Sequence, residues 1–281
     1  MSNHERAYDI AIPDGFLRVH ELGDGDPVIV MHGGMGLDHT YMLPSVRALA
    51  RDVRLILYDH RGNGQSSAAA PESLTLESWA RDAISLADAL EFDRFVLLGH
   101  SFGGFIALQL ASMFGDRLSG LVLCSTAAAL DYPDVAFANA QRRATPEQLA
   151  ALTTGLTTPA ESDAAFRELF LTVLPIYFAS WSPECRAFFE HVRYDAAASN
   201  RGLLDILPRY NVRDRLSSIG TRALVVGGRE DWLTSPSHAT VPLAAALPNA
   251  TLHLFERSGH FPFIEESNAF AVTLRDWLVG T

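Results

Sequence analysis

The stretch "FVLLGHSFGGFIALQLASMFG" (95–115) decides the fold. It opens on a short, continuous apolar run of the kind that suits a parallel strand covered on both faces. It closes on apolar residues at helical spacing that stop at Gly115. Between the two, Gly99-His100-Ser101-Phe102-Gly103 matches G-x-S-x-G, with Gly104 next. Strand, tight glycine-flanked turn and helix together make the setting of a nucleophile elbow, which holds a serine out on a strained corner. Gly99 and Gly103 permit the turn and a close backbone approach, and Gly104 lets the helix pack tightly. The bare pentapeptide also arises as a glycine-rich bend. The rest of the chain therefore has to supply a base, an acid and an oxyanion hole.

Outward from this stretch, similar apolar runs recur at 28–34, 55–62, 121–126, 223–228 and 251–255, bounded by Gly, Asp or Pro. Helical patterns such as "LTLESWARDAISLADAL" (74–90) lie between them. Strand–helix alternation implies right-handed crossovers and a doubly wound α/β sheet. At the start, "AYDIAIPDGFLRVHEL" (7–22) reads as an edge hairpin turning at Pro13-Asp14-Gly15. The alternation breaks after Thr126. From 127 to 216 only helical segments are expected, with Thr145-Pro146 and Ser182-Pro183 as N-cap and first helical position. The expected organisation is a core domain, 1–126 and 217–281, interrupted by a helical cap, 127–216. The cap's aromatic-rich "AAFRELFLTVLPIYFASW" (164–181) packs it onto the sheet and, in a lid, also faces a pocket.

Composition narrows the function classes. The 281 residues are 48% hydrophobic and 20% charged, ordinary values for a soluble globular protein. Scattered acids give a net charge of −11, a solubility feature that speaks against a nucleic-acid partner. No signal peptide is read in "MSNHERAYDIAIPDGF" and no apolar run suffices to cross a bilayer, so a cytoplasmic protein with no membrane partner is expected. Cys124 and Cys185 are too few and too far apart for a metal site or a disulfide framework, and Cys124 reads as a buried structural thiol.

A serine hydroxyl is a poor nucleophile at neutral pH and needs a neighbouring base. Among ten histidines, His260 stands out, because "SGH" (258–260) follows the last apolar run and open α/β sheets place their sites at strand carboxyl ends. The acid that orients it is assigned to Asp231 in "VVGGREDW" (225–232), with Glu230 and Asp131 as rivals. For the oxyanion hole, the N–H of Phe102 pairs with one from "MHGGMG" (31–36), assigned to Gly34. His32 reads as a turn-stabilising residue. "DHRGNGQS" (59–66) lacks the lysine of a phosphate loop, so Asp59 and Arg61 read as bonding locally.

With these pieces in order, the chain resembles the α/β-hydrolase superfamily over nearly its whole length. The likeness rests on "HGGMG" (32–36), "DHRGNGQS" (59–66), "GHSFGG" (99–104), "GGREDW" (227–232) and "SGHFPFIEESNAF" (258–270). It implies a mostly parallel, eight-stranded sheet, an inserted helical cap, and Ser101, Asp231 and His260 as catalytic residues that need no metal or cofactor. The chain is most similar to the prolyl-iminopeptidase-related branch, although Met35 stands where that branch has proline. Its aminopeptidases hold a substrate's amino terminus with acidic side chains near the cap's end and just after the triad aspartate. Here those positions are Asn200 and Trp232, both assigned to substrate binding and neither negatively charged. Glu161, Glu168, Glu184 and Glu190 are the cap acids left to substitute, and otherwise read as solvated helix charges. Epoxide hydrolases and haloalkane dehalogenases of the superfamily carry aspartate where Ser101 stands. The resulting expectation is a serine hydrolase acting on a small, largely apolar ester or lactone. The alternatives are an aminopeptidase removing N-terminal proline and a non-catalytic ligand-binding protein.

Overall fold

One eight-stranded sheet organises the computed structural model, which describes Glu5–Gly280. The first two strands, β1 (Glu5–Ile12) and β2 (Gly15–Leu22), form the edge hairpin, turning at Pro13-Asp14 with Asp14 at φ 66°. The other strands are β3 (Pro27–Met31), β4 (Arg54–Tyr58), β5 (Phe95–His100), β6 (Leu118–Cys124), β7 (Ala223–Gly228) and β8 (Ala250–Phe255). Their order is β1-β2-β4-β3-β5-β6-β7-β8; β2 runs antiparallel to both its neighbours and every later pairing is parallel. The sheet is therefore mostly parallel, and each apolar run noted in the sequence supplies one of its strands.

Alternate residues of the central strands feed two separate apolar layers, as the period of a strand requires. Ile29, Met31, Leu97, Leu121, Leu123 and Val225 pack on one face with the helices Leu76–Ala89 and Phe102–Phe114. Val28, Val30, Val96, Leu98, Val122, Cys124, Leu224 and Val226 pack on the other, against the segment Leu43–Arg51 and the helix Ser267–Val279. Cys124 lies fully inside this second layer, where burial pushes its thiol pKa up.

Between β6 and β7 the chain is helical, including Pro133–Gln141, Pro146–Thr157, Asp163–Val173 and a π-helical turn at Arg201–Ile206. Thr145 caps the second of these helices in a reciprocal bond with Gln148. Where this insertion leaves and rejoins the core its two ends are tied together by a bridge between Ala129 and Asn211 and by Val212 N–H to the Ala128 carbonyl. A small apolar cluster of Ala136, Ala140, Leu152, Val173 and Ile176 gathers around Trp232 from the loop after β7. Among the described residues no helix is long and apolar enough to cross a membrane.

The sheet order also locates the crevice. After β3 the chain moves to β4 on one side, and after β5 it moves to β6 on the other. The loops leaving β3 and β5 therefore part company at adjacent strand ends, where open α/β sheets form their binding clefts.

Candidate active site

Ser101 sits at that parting point, half-buried, with φ 52° and ψ −117°. This is a left-handed backbone that costs energy in any residue with a Cβ, and it is kept because the surroundings leave no alternative. A Cβ on Gly99 would meet the Gly103 carbonyl oxygen at 2.5 Å, and one on Gly103 would meet the His32 carbonyl oxygen at 2.5 Å. Only glycine allows the strand, the turn and the β3 loop to come so close. Ser101 is also the N-cap of the helix Phe102–Phe114, a position where serine usually turns its hydroxyl onto the helix backbone. It makes no such bond. The Ser101 hydroxyl instead lies 2.9 Å from Nε2 of His260.

His260 comes from the loop after β8 and Asp231 from the loop after β7. Backbone bonds hold these loops together: Arg229 N–H to the Phe255 carbonyl, and Glu230 N–H to the Ser258 carbonyl. Nδ1 of His260 is 2.7 Å from Oδ2 of Asp231. The same oxygen accepts the Thr234 hydroxyl at 2.5 Å, and Oδ1 accepts the Leu233 and Thr234 N–H groups at 2.9 and 3.0 Å. Burial alone would raise the Asp231 pKa, but the His260 imidazole and the Thr234 donors outweigh it and hold the carboxyl below its ordinary range. An ionised Asp231 accepts the proton on Nδ1, which leaves Nε2 free to accept from Ser101.

The rival acids point elsewhere. Glu230 is exposed and pairs with Arg143 at 3.2 Å, while Asp131 is exposed and pairs with Arg213.

Gly34 has φ 57° in the loop after β3, and its neighbour Gly33 lies close enough that a Cβ there would meet Cβ of Ser101 at 2.9 Å. Gly33 N–H is taken by the Tyr41 hydroxyl and Gly36 N–H by the Asn63 side chain. Among the described residues neither Gly34 N–H nor Phe102 N–H has a hydrogen-bond partner. The Phe102 group is one of the free donors at a helix N-terminus, where the partial positive charge of the helix collects. In the same loop His32 serves the turn: its Nδ1 meets the Gly33 carbonyl and its Nε2 accepts the His60 N–H. In the loop after β4, Asp59 accepts the Gln65 N–H and also binds His39, 20 residues away; Arg61 reaches further, to Asp82 and the Pro13 carbonyl.

The two residues assigned to substrate differ. Trp232 is 4% exposed, its ring is 5.3 Å from that of Tyr177, and its indole N–H is buried without a partner. Tyr177 in turn lies 5.4 Å from the His260 ring. The Asn200 amide bonds both polar groups of the Ala160 backbone, at 2.8 and 3.0 Å, which braces the end of the short helix Ala196–Asn200 to another loop of the insertion. Glu161, Glu168, Glu184 and Glu190 are all exposed on the outer surface. A cavity of about 540 Å³ opens between Thr145, Arg167, Glu168 and Arg186, and none of its lining residues belongs to the Ser101 group.

Sequence reasoning misses four side chains of this site. Thr234 is on Asp231; Tyr41 and His100 are on the β3 and His260 loops. Glu265 accepts Gly259 N–H at 2.7 Å with one oxygen and the Ala179 and Ser180 N–H groups of the insertion with the other. A signal for Glu265 is present in its place five residues past His260 in the helix-starting "FPFIEE". Tyr41 carries no motif at all.

Comparison with known proteins agrees with this architecture. A "Putative carbamate hydrolase RutD" of Rhizobium rhizogenes (strain K84) is 29% identical over 261 residues, spanning 90% of this chain and 93% of that protein. Proline iminopeptidase PfmaB of Pestalotiopsis fici is 26% identical, spanning 91% and 92%. The crystal structure of the enol-lactonase from Burkholderia xenovorans LB400 superposes with a TM-score of 0.70 at 28% identity, over 97% of this chain and 100% of that one. The family model described as alpha/beta hydrolase fold matches residues 26–267, from just before β3 into the last helix. That match takes in every parallel strand and both loops that meet at Ser101, and the chain belongs to the α/β-hydrolase fold family.

Proposed function

We propose that the chain is a cofactor-independent serine hydrolase that cleaves a small, largely apolar ester or lactone. The continuous hydrogen-bonded line from Ser101 through His260 to Asp231 carries this reading. In the proposed reaction, His260 Nε2 takes the hydroxyl proton as Ser101 Oγ attacks the acyl carbon. Asp231 holds the imidazole and stabilises its protonated form. The free N–H groups of Gly34 and Phe102 receive the developing oxyanion, a contribution worth a factor of about 10²–10³ per donor in comparable sites. Collapse expels the leaving group with the proton from His260, and water activated by the same histidine then releases the acyl group.

Several observations support the substrate class. The helical insertion between β6 and β7 acts as the cap, and Tyr177 from it and Trp232 beneath it present an aromatic wall beside His260. The unpartnered Trp232 indole is offered to an acceptor oxygen of the substrate, since a buried donor without a partner costs about 1–3 kcal/mol. The four cap glutamates are exposed, and among the described residues none bonds to Ser101, His260, Tyr177 or Trp232, which disfavours capture of a peptide's ammonium group despite the likeness to an iminopeptidase. The names of the similar lactonase and of the RutD relative are consistent with acyl cleavage outside peptides.

The test is labelling by a fluorophosphonate probe, followed by aryl-ester and proline-arylamide assays. The expected outcome is a single adduct on Ser101, lost with esterase activity in Ser101→Ala, and aryl-ester turnover well above arylamide turnover. Full esterase activity in Ser101→Ala removes the mechanism; arylamide turnover in excess restores the peptidase.

A further inference from the structure

Three parts of the site that must keep a fixed spacing are joined by two buried side chains, one of them next to the nucleophile. Gly33 N–H, one residue before the Gly34 donor, gives its hydrogen bond to the Tyr41 hydroxyl at 2.7 Å. The Tyr41 oxygen is 2.8 Å from Nδ1 of His100. Nε2 of His100 is 3.1 Å from the His260 backbone carbonyl. For a neutral His100 only one assignment of protons satisfies all three contacts. The His260 carbonyl can only accept, so His100 carries its proton on Nε2 and its Nδ1 must itself accept. Tyr41 gives its proton to that Nδ1 while its oxygen accepts Gly33 N–H.

The surroundings enforce that state. Tyr41 and His100 are both buried, and burial together with the neighbouring His260 ring keeps the His100 pKa well below its ordinary value. The His100 ring is 4.9 Å from Phe263 and 5.5 Å from Phe261, and Tyr41 stacks on Phe189 at 5.3 Å, so neither ring has room to turn. The far side of His260 is held as well, because its N–H donates to the Tyr177 carbonyl at 2.7 Å. No charged group lies in this line.

We propose that Tyr41 and His100 are positioning residues that set the distance between the oxyanion donors and the base, acting through Gly33 on one side and the His260 backbone on the other. This rests on the hydrolase reading above. Neither side chain touches substrate. Their effect falls on the transition state, when the oxyanion and the imidazolium must both be met at once, and leaves ground-state binding alone.

The experiment compares wild type with Tyr41→Phe, which removes one hydroxyl and keeps the ring. With p-nitrophenyl acetate, kcat is expected to fall about 10- to 100-fold with KM within about twofold. Phenylboronic acid, whose tetrahedral adduct on Ser101 fills the oxyanion position, is expected to bind more weakly by a similar factor. A folded Tyr41→Phe with unchanged kcat and unchanged boronate affinity overturns the proposal. Should that variant not fold, imidazole 15N chemical shifts of the wild-type protein decide: His100, assigned by its missing signals in His100→Gln, must stay neutral and protonated on Nε2 from pH 5 to 9. The other tautomer, or titration in that range, overturns the proposal. Wild type that neither turns over ester nor takes a fluorophosphonate label refutes the hydrolase reading instead, and the tautomer result still stands on its own.

Discussion

Asp231 illustrates how fully a single carboxylate can be committed. It accepts from His260, from the Thr234 hydroxyl and from two backbone N–H groups, so each of its oxygens has two donors. An asparagine there must turn an NH₂ group toward donors and can no longer hold His260 in the tautomer that leaves Nε2 free. Asp231→Asn is therefore expected to lower kcat by about 10³–10⁴-fold with little change in KM, measured on the same aryl ester. At this scale the legible residues are those whose neighbours in the chain announce them. Ser101 has its glycines, Asp231 follows a strand-ending glycine pair, and His260 sits in "SGH". Tyr41 and His100 meet across 59 positions, and nothing adjacent to either marks the contact. Asn200 shows the complementary difficulty, since an amide that could serve a ligand serves the Ala160 backbone equally well.

The element most exposed to pH is the turn that carries His260. Glu265, the last residue of the short helix Pro262–Glu265 after it, ties Gly259 to Ala179 and Ser180 of the insertion. Burial raises its pKa from 4.5 to about 7 against the pull of those three donors. Because the folded-state value lies above the ordinary one, folding favours the protonated acid. This contribution to stability is present in full below about pH 4.5 and disappears as pH rises through about 7. Glu265→Gln cannot titrate and loses one acceptor oxygen. It is expected to be less stable than wild type at low pH, with the gap closing by up to about 1.4 kcal/mol per pH unit as pH rises from 5 to 7, measured from urea midpoints. A constant gap across that range contradicts the assignment. Among elements, the parallel strands are the most legible, because a strand buried on both faces is apolar at every position. The insertion is less so. Its helix start at Thr145 follows from capping chemistry and that after Ser182, which makes no side-chain cap bond, from Pro183 at the first helical position, but the π-helical turn Arg201–Ile206 has no local signature and arises from packing. A Cβ on Gly202 there would collide with the Met35 side chain.

At the scale of the whole molecule, two thick apolar layers sandwich the sheet, and the insertion joins one of them through Phe166, Leu171, Phe178, Phe189 and Tyr194, whereas its helices Pro133–Gln141 and Pro146–Thr157 bury their apolar side chains in a small cluster around Trp232. Parts with less buried apolar surface open at lower free energy. In a urea series, aryl-ester hydrolysis is expected to be lost at a lower concentration than the far-ultraviolet dichroism of the sheet. Hydrogen exchange is expected to be faster in the helices Pro133–Gln141 and Pro146–Thr157 than in β5 and β6. Coincident midpoints and uniform protection would show one cooperative unit instead. The overall architecture is legible because alternation of apolar runs and helical patterns leaves few ways to connect a doubly wound sheet. How the insertion seats on the core is not, since that depends on contacts such as Tyr177 with His260 and Trp232, which no local pattern records. The separation of Ser101 from His260, 159 positions along the chain, also bears on how the protein is made. At a synthesis rate of about 5–20 residues per second, the serine is polymerised roughly 8–30 s before its base. Until then it is an ordinary, unreactive alcohol on a growing chain, so the proposed activity waits until the loop after the last strand has been made.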